Sequence, residues 1–277
     1  MKFVIVMLFF TGIVCAQNYE RYGAFQSTNI KLYEGLTEVS EWYDIPVGLA
    51  FIYRSQINPS NIGDKINLNP ATFERDFSNS YGISGNFSIG SMNKDMIPDI
   101  LFYGGLAGTY ISGLIDKNSI SDKSFKRVFL FRKSLVYTYT LTEWVKNLVK
   151  RERPDGSNNR SFFSGHTATT FSAMTYFFLT SRDFFEKWSV TAHNSDLRTL
   201  FQSASFAACF GWASYVGYSR IKDKKHYLSD VLTGAAVGTI ISYFLYDHYL
   251  SDDSLPNMFE LMPGRESLNL AVRVKLQ

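Results

Sequence analysis

SYVGYSRIKDKKHYLSDVLTGAAVG, residues 214–238, sets Arg220, Lys222, Lys224, Lys225 and His226 directly against a run of small and apolar residues. The run reads as a buried helix in which Gly234 and Gly238 permit close packing. Why a basic, polar cluster stands at the mouth of such a helix is the question the rest of the chain must answer. If the helix begins near Lys225, His226 and Asp230 stand four residues apart on one face. The carboxylate can then hold one imidazole nitrogen and leave the other free to attack, which is half of a nucleophile site. Taken alone, the pair reads more simply as a dipole-stabilised aspartate with a surface histidine beside it.

Working outward, apolar segments alternate with short polar joints at 100–115, 128–149, 166–181, 199–219 and 231–246. These are too long for ordinary strands, so the expected class is an all-α helical bundle occupying residues 96–250. Residues 17–95 are rich in Asn, Ser, Gly and Tyr, contain Pro46, Pro59 and Pro70, and show no sustained helical period. They read as an irregular N-terminal extension of loops and short helices wrapping the core. Pro256 and Pro263 close the bundle, and the tail 251–277 ends in SLNLAVRVKLQ, where Leu268, Leu270, Val272, Val274 and Leu276 alternate with the period of a strand.

The chain has 277 residues, with 28 basic against 25 acidic side chains, which leaves no broad basic surface for nucleic acid. Aromatic residues make up 16%, a content that suits a thick apolar interior or helices lying against lipid. The leading stretch MKFVIVMLFFTGIVCAQ has the layout of a signal peptide, residues 1–16, cut after Ala16. The mature protein is therefore expected outside the cytoplasm, periplasmic or membrane-associated. Only Cys209 then remains, as core filling, and no disulfide framework is expected. Segments 100–115 and 231–246 each hold 16 residues between flanking carboxylates, short of the ~20 that cross a bilayer. Segment 128–149 contains Arg132, Lys133, Glu143 and Lys146, which argues against simple burial in lipid. These lengths favour a soluble or peripheral bundle over an integral one, and composition leaves both open.

Two further stretches carry chemistry. KNLVKRERP places Lys146 and Arg153 seven residues apart, two turns on one helical face, with Pro154 ending the helix. One forked and one point-like cation can grip one phosphate. Lys150 and Arg151 fall elsewhere on the wheel and are expected to be solvated. RSFFSGHTATTFSAM opens a helix at Ser164, Gly165 and His166. Such a start presents unpaired amides and a positive dipole end; Gly165 admits an anion closely, Ser164 can donate its hydroxyl, and His166 can give a proton to a leaving oxygen. Each stretch alone has a plainer reading, a charged helix end or an N-cap serine.

Together the chain reads K-x6-R-P, then S-G-H, then S-R-x5-H-x3-D, ten specified residues in three ordered blocks. In this it resembles the type 2 phosphatidic acid phosphatase (PAP2) superfamily, which includes bacterial acid phosphatases and vanadium haloperoxidases. The resemblance covers about residues 97–250 and implies that family's helical bundle. It implies that His226 is the nucleophile that becomes phosphohistidine, that Asp230 orients it, and that His166 is the general acid. Lys146, Arg153 and Arg220, with Ser164 and the Gly165 backbone, match the phosphate-binding shell. The family works without a metal or other cofactor, and His193 and His248 lie apart from any obvious ligand partners.

The second block usually reads P-S-G-H, and here Phe163 replaces the proline, which relaxes the turn but removes no catalytic group. An aromatic there, and the third block, look most like eukaryotic lipid phosphate phosphatases. The substrate is thus expected to be a phosphorylated lipid or a small phosphate ester, with a membrane surface or bilayer as partner. A broad periplasmic acid phosphatase is the alternative. A haloperoxidase is disfavoured by length, and a silent scaffold by the intact His166, His226, Asp230 and cations. Lys222, Lys224 and Lys225 stay open between attraction to an anionic lipid surface and a solvated loop.

Overall fold

The computed structural model describes residues 23–53, 66–83, 96–116 and 118–250, together with the backbone of 259–263 and 268–272. The leading segment read as a signal peptide lies outside these residues. Three helices precede the bundle: α1 (Gly23–Glu38), α2 (Asp44–Tyr53) and α3 (Thr72–Tyr81). The bundle itself is α4 (Met96–Ile115), α5 (Lys123–Leu148), α6 (Gly165–Lys187), the single turn α7 (Ser189–Ala192), α8 (Ser195–Lys222) and α9 (Leu228–Leu250).

The all-α expectation holds, with longer helices than the apolar segments suggested. Helix α9 has 23 residues because Asp230 and Asp247 lie inside it instead of bounding it. Asp230 is buried and paired, so it does not interrupt the helix. The extension is also more regular than expected: α1 runs for 16 residues although its apolar positions follow no sharp stripe. It is held by packing of Leu32 against Ile120 and Phe125, a case of tertiary contact overriding weak local pattern.

At the centre α5, α6 and α9 bury Leu130, Phe131, Leu135, Ala173, Tyr176, Leu179, Tyr246 and Leu250. Each large side chain removed from water contributes roughly 1.5–3 kcal/mol before chain entropy is set against it. The charged residues of α5 are accommodated inside protein. Lys133 donates to Val39 O at 2.7 Å, Asp44 at 2.9 Å and Tyr249 Oη at 2.9 Å. Arg132 meets Asp99 at 2.6 Å.

Helix α9 lies against α6 most closely, and the glycines explain how. A Cβ at Gly234 would stand 2.6 Å from the Ser164 carbonyl oxygen, and one at Gly238 would overlap the carbonyl of Ala168. This contact fixes the start of α6 beside the start of α9, bringing two motif blocks together. Hydroxyls knit the seam: Ser242 donates to Ser172 O at 2.6 Å, and Thr138 to Ser172 Oγ at 3.2 Å.

The tail was expected to be a strand at an edge or packed on the body. Over the described residues it is a two-stranded antiparallel hairpin, Phe259–Pro263 with Leu268–Val272, so Pro263 sits in a strand. Val274, Leu276 and Pro256 lie outside the described residues.

Candidate active site

The first block departs from the expected helix. Helix α5 ends at Leu148, and Val149 is already extended at φ −96°, ψ 121°. Residues Val149–Lys150 pair in parallel with Ile66–Asn67 of the extension, and Arg151 bridges Arg160. Lys146 therefore sits on the last turn of α5, while Arg153 is carried by the loop beyond it. That loop turns at Gly156, whose φ of 68° is left-handed, with Gly156 N donating to Arg153 O at 2.9 Å. Arg160 anchors the return through Glu143 at 2.7 Å and Asn147 at 2.8 Å.

Leaving the helix re-aims Arg151, which corrects the expectation that it is solvated. It is only 2% exposed. Its Nη1 donates to Asp230 Oδ1 at 2.5 Å and Ser229 Oγ at 2.7 Å, and its Nη2 donates to Glu74 Oε2 at 2.7 Å. The guanidinium also lies 4.8 Å from the Tyr227 ring centre. Lys150, by contrast, is exposed as expected.

The third block is also rearranged. Helix α9 begins at Leu228, so His226 lies in the loop before it and does not share a helical face with Asp230. Its Nδ1 bonds to the backbone carbonyl of Ser161 at 2.7 Å, and Asp230 Oδ2 stands off at 3.8 Å. Asp230 is engaged elsewhere: Oδ2 accepts from the Ser161 hydroxyl at 2.5 Å and from Tyr227 N at 2.9 Å. A carbonyl can only accept, so Nδ1 carries the proton of the neutral ring and Nε2 carries the lone pair. His226 is 1% exposed. Burial pushes its pKa down to about 4, helped by Lys146 and Arg153 and opposed by Asp230.

Of the remaining motif residues, Lys146 and Arg153 stand near enough to act on this imidazole, and the others lie on the segments around it. Ser164 is buried and caps α6 in an extended conformation; its N–H donates to the Asp230 carbonyl at 3.0 Å and its Oγ accepts from Thr167 at 2.8 Å. Gly165 is packed against Lys146, whose Nζ lies 3.1 Å from where a Cβ would stand. His166 follows at the second position of α6, half-buried. Arg220 is buried at the end of α8, and its backbone carbonyl accepts from His226 N at 3.3 Å. Asp223 takes one Arg220 nitrogen at 3.2 Å. The Nε atoms of Arg153 and Arg220 are buried without a hydrogen-bond partner. The same holds for the Nε atoms of Arg127, Arg151 and Arg182.

The open lysines have definite places. Lys225 pairs with Asp155 at 2.7 Å, and burial, which raises the Asp155 carboxyl, is outweighed by Lys225 and Ser157, which hold it at about 2. Lys224 takes a left-handed φ of 53° and lays its stem on Gly82 after α3. Lys222 O accepts from Ile83 N at 2.7 Å. The loop thus fastens α3 to the motif helices. Sequence reading missed Ser161, Asp223, Arg151 and Glu74. For Arg151, the extended pairing after Leu148 hid the signal. For Glu74, the short run Ala71 to Glu74 is a local capping signature, with Ala71 N donating to Oε2 at 3.0 Å.

The all-α bundle thus carries a neutral, buried imidazole beside a helix N-terminus, with Lys146 and Arg153 near enough to act on it. Residues 128–252 match the model of the PAP2 superfamily. The chain is 36% identical over 102 residues to a lipid A 1-phosphatase of Porphyromonas gingivalis, covering 37% of this chain and 19% of that protein. It is 32% identical over 91 residues to lipid phosphate phosphatase 1 of Arabidopsis thaliana, covering 33% of this chain and 26% of that protein. The matched part thus spans about a fifth and a quarter of these relatives. A solved PAP2-type phosphatidylglycerolphosphate phosphatase from Bacillus subtilis aligns at 15% identity with a TM-score of 0.41, over 83% of this chain and 98% of that one.

Proposed function

We propose that this chain is a phosphatase that removes phosphate from a lipid-borne phosphate ester or pyrophosphate through a phosphohistidine on His226. The observation that carries the reading is a buried, neutral imidazole whose free nitrogen is Nε2, standing within the field of Lys146 and Arg153. In this reading Lys146, Arg153 and Arg220, with the Ser164 hydroxyl and the Gly165 amide, hold the phosphoryl oxygens and offset the charge that grows in the transition state. Nε2 of His226 attacks phosphorus in line as His166 protonates the departing alkoxide. Water then attacks the phosphohistidine, with His166 as base, and returns the imidazole neutral. The cations supply the charge neutralisation themselves.

Lipid as the carrier is supported by an apolar groove of about 590 Å³ between α2, α5 and α9, lined by Val47 and Ala50 of α2, Leu141, Trp144 and Leu148 of α5, and Ile241 of α9. The names of both curated relatives point the same way. Membrane association is supported by α9, whose 23 residues have a window of mean hydropathy 1.5, long and apolar enough to cross a bilayer, and by the exposed Trp42, Ile45, Leu49 and Ile52 around α2. The site would then open outside the cytoplasm, as the leading segment suggests.

The test is phosphate release in EDTA and detergent from phosphatidate and from a soluble alkyl monophosphate, comparing wild type with His226→Ala. His226-dependent preference for the lipid supports the reading. Equal or better turnover of the soluble ester favours a broad acid phosphatase, and turnover that survives His226→Ala rejects the mechanism.

A further inference from the structure

The N-terminal extension reaches the motif residues at one buried point, and its chemistry gives the extension a role. Glu74 of α3 is 4% exposed, and both its oxygens are committed. Oε2 accepts from Arg151 Nη2 at 2.7 Å and Ala71 N at 3.0 Å; Oε1 accepts from Ser229 N at 3.1 Å. Arg151 and Ser229 both adjoin Asp230, the first by a 2.5 Å bond and the second by the chain. Asp230 in turn holds the Ser161 hydroxyl at 2.5 Å, and Ser161 presents the carbonyl that fixes the His226 tautomer.

Resting on the phosphohistidine reading above, we propose that Glu74 and Arg151 are positioning residues that aim His226 without touching substrate. A fourth cation in a phosphate site would ordinarily be assigned to the anion. Arg151 is instead turned away and neutralised by two carboxylates, which leaves Lys146, Arg153 and Arg220 for the ligand. Glu74 directs that turn. Without it, Arg151 loses the acceptor on its Nη2 side and is left with Asp230 and Ser229. The guanidinium is then free to rotate, and Asp230 loses the fixed partner that keeps its second oxygen on Ser161 and Tyr227. Burial raises the Glu74 carboxyl, yet the bonds from Ser229 and Ala71 and the Arg151 charge outweigh it, consistent with a carboxylate held ionised in this place.

A misaimed nucleophile lowers the rate of the chemical step and leaves ground-state phosphate binding intact, since the three ligand cations are untouched. The experiment is steady-state kinetics of full-length Glu74→Gln on whichever ester the wild type turns over, with inhibition by inorganic phosphate measured alongside. A glutamine keeps the shape but offers one acceptor where two are used. The expected result is a kcat lowered on the order of 10- to 100-fold, with KM and the inorganic phosphate inhibition constant within about twofold of wild type. In the double variant Glu74→Gln with Asp230→Asn, the loss is expected to be no greater than for Asp230→Asn alone, because the residues act as one unit. Wild-type kcat in Glu74→Gln, or fully multiplicative losses in the double variant, overturns the proposal. Should Glu74→Gln not fold, Glu74→Asp, which keeps the charge at shorter reach, takes its place with an intermediate loss of kcat expected and the same overturning result. If the wild type itself shows no His226-dependent release, the failure belongs to the phosphatase reading.

Discussion

Arg151 and Asp230 form a buried ion pair at 2.5 Å, with side-chain exposures of 2% and 0%. Removing one member of such a pair leaves the other charge buried and unpaired, which costs far more than the pair itself contributes. Arg151→Ala strands two carboxylates, Asp230 and Glu74, and is expected to lower the unfolding free energy by about 3–5 kcal/mol. Lys150→Ala, one residue away and exposed, should stay within about 0.5 kcal/mol of wild type. Denaturant unfolding of the two variants checks the contrast; equal effects would contradict it.

The cation shell predicts a different signature. In the proposed mechanism Arg153→Ala and Arg220→Ala each remove a donor to the phosphoryl group, and each should lower kcat/KM on the order of 10²-fold or more and weaken inhibition by inorganic phosphate. Lys225→Ala breaks only a part-exposed pair with Asp155 and should change neither measurably. Unchanged phosphate inhibition in Arg153→Ala would remove that residue from the shell.

The depressed pKa of His226 has two readouts. The ring stays neutral down to about pH 4, so no acid limb in kcat should arise from it between pH 7 and about pH 5. For stability, the unfolded ring takes a proton near its ordinary pKa of about 6.5, and the folded ring takes one only near 4. Between these values the unfolded state binds more protons, so stability falls as pH is lowered from about 6.5 to about 4, by roughly 3 kcal/mol from this residue. His226→Gln should lack that part of the pH dependence in unfolding experiments. A wild-type slope matched by the variant would show that the imidazole is not held neutral.

The approach of α9 to α6 makes a packing prediction. Gly238→Ala drives a methyl group into the Ala168 carbonyl, backbone that cannot rotate away, and should destabilise by about 1–3 kcal/mol. Gly211→Ala in α8 meets nothing within 4 Å and should be neutral or slightly stabilising. Thermal unfolding of both variants distinguishes the two sites.

The all-α bundle was legible in the sequence because helices long enough to pack show themselves as apolar runs, and the three spaced blocks of the candidate site were legible as basic, histidine and carboxylate positions. What escaped had physical causes. Asp230 and Asp247 looked like helix limits, since a carboxylate within an apolar helix is costly until its partner is known; for Asp230 that partner, Arg151, lies 79 residues away. Arg151 was judged on a helical wheel that stops at Leu148, where pairing with Ile66–Asn67 takes over. Asp230 was expected to grip His226 across one helical turn, but the helix starts at Leu228 and the task falls to the Ser161 carbonyl, which no side-chain pattern announces. Glu74 sits in a polar stretch whose local capping run gives no hint of a partner 77 residues on.

The central claim is that His226 carries the phosphoryl group. It is tested most directly by rapid-quench trapping of the enzyme with a phosphorus-labelled substrate in EDTA, followed by location of the label. The account predicts an acid-labile, base-stable phosphoenzyme on His226 that is absent from His226→Ala and decays at the rate of phosphate release. Label on another residue, or release at wild-type rate from His226→Ala, would contradict it.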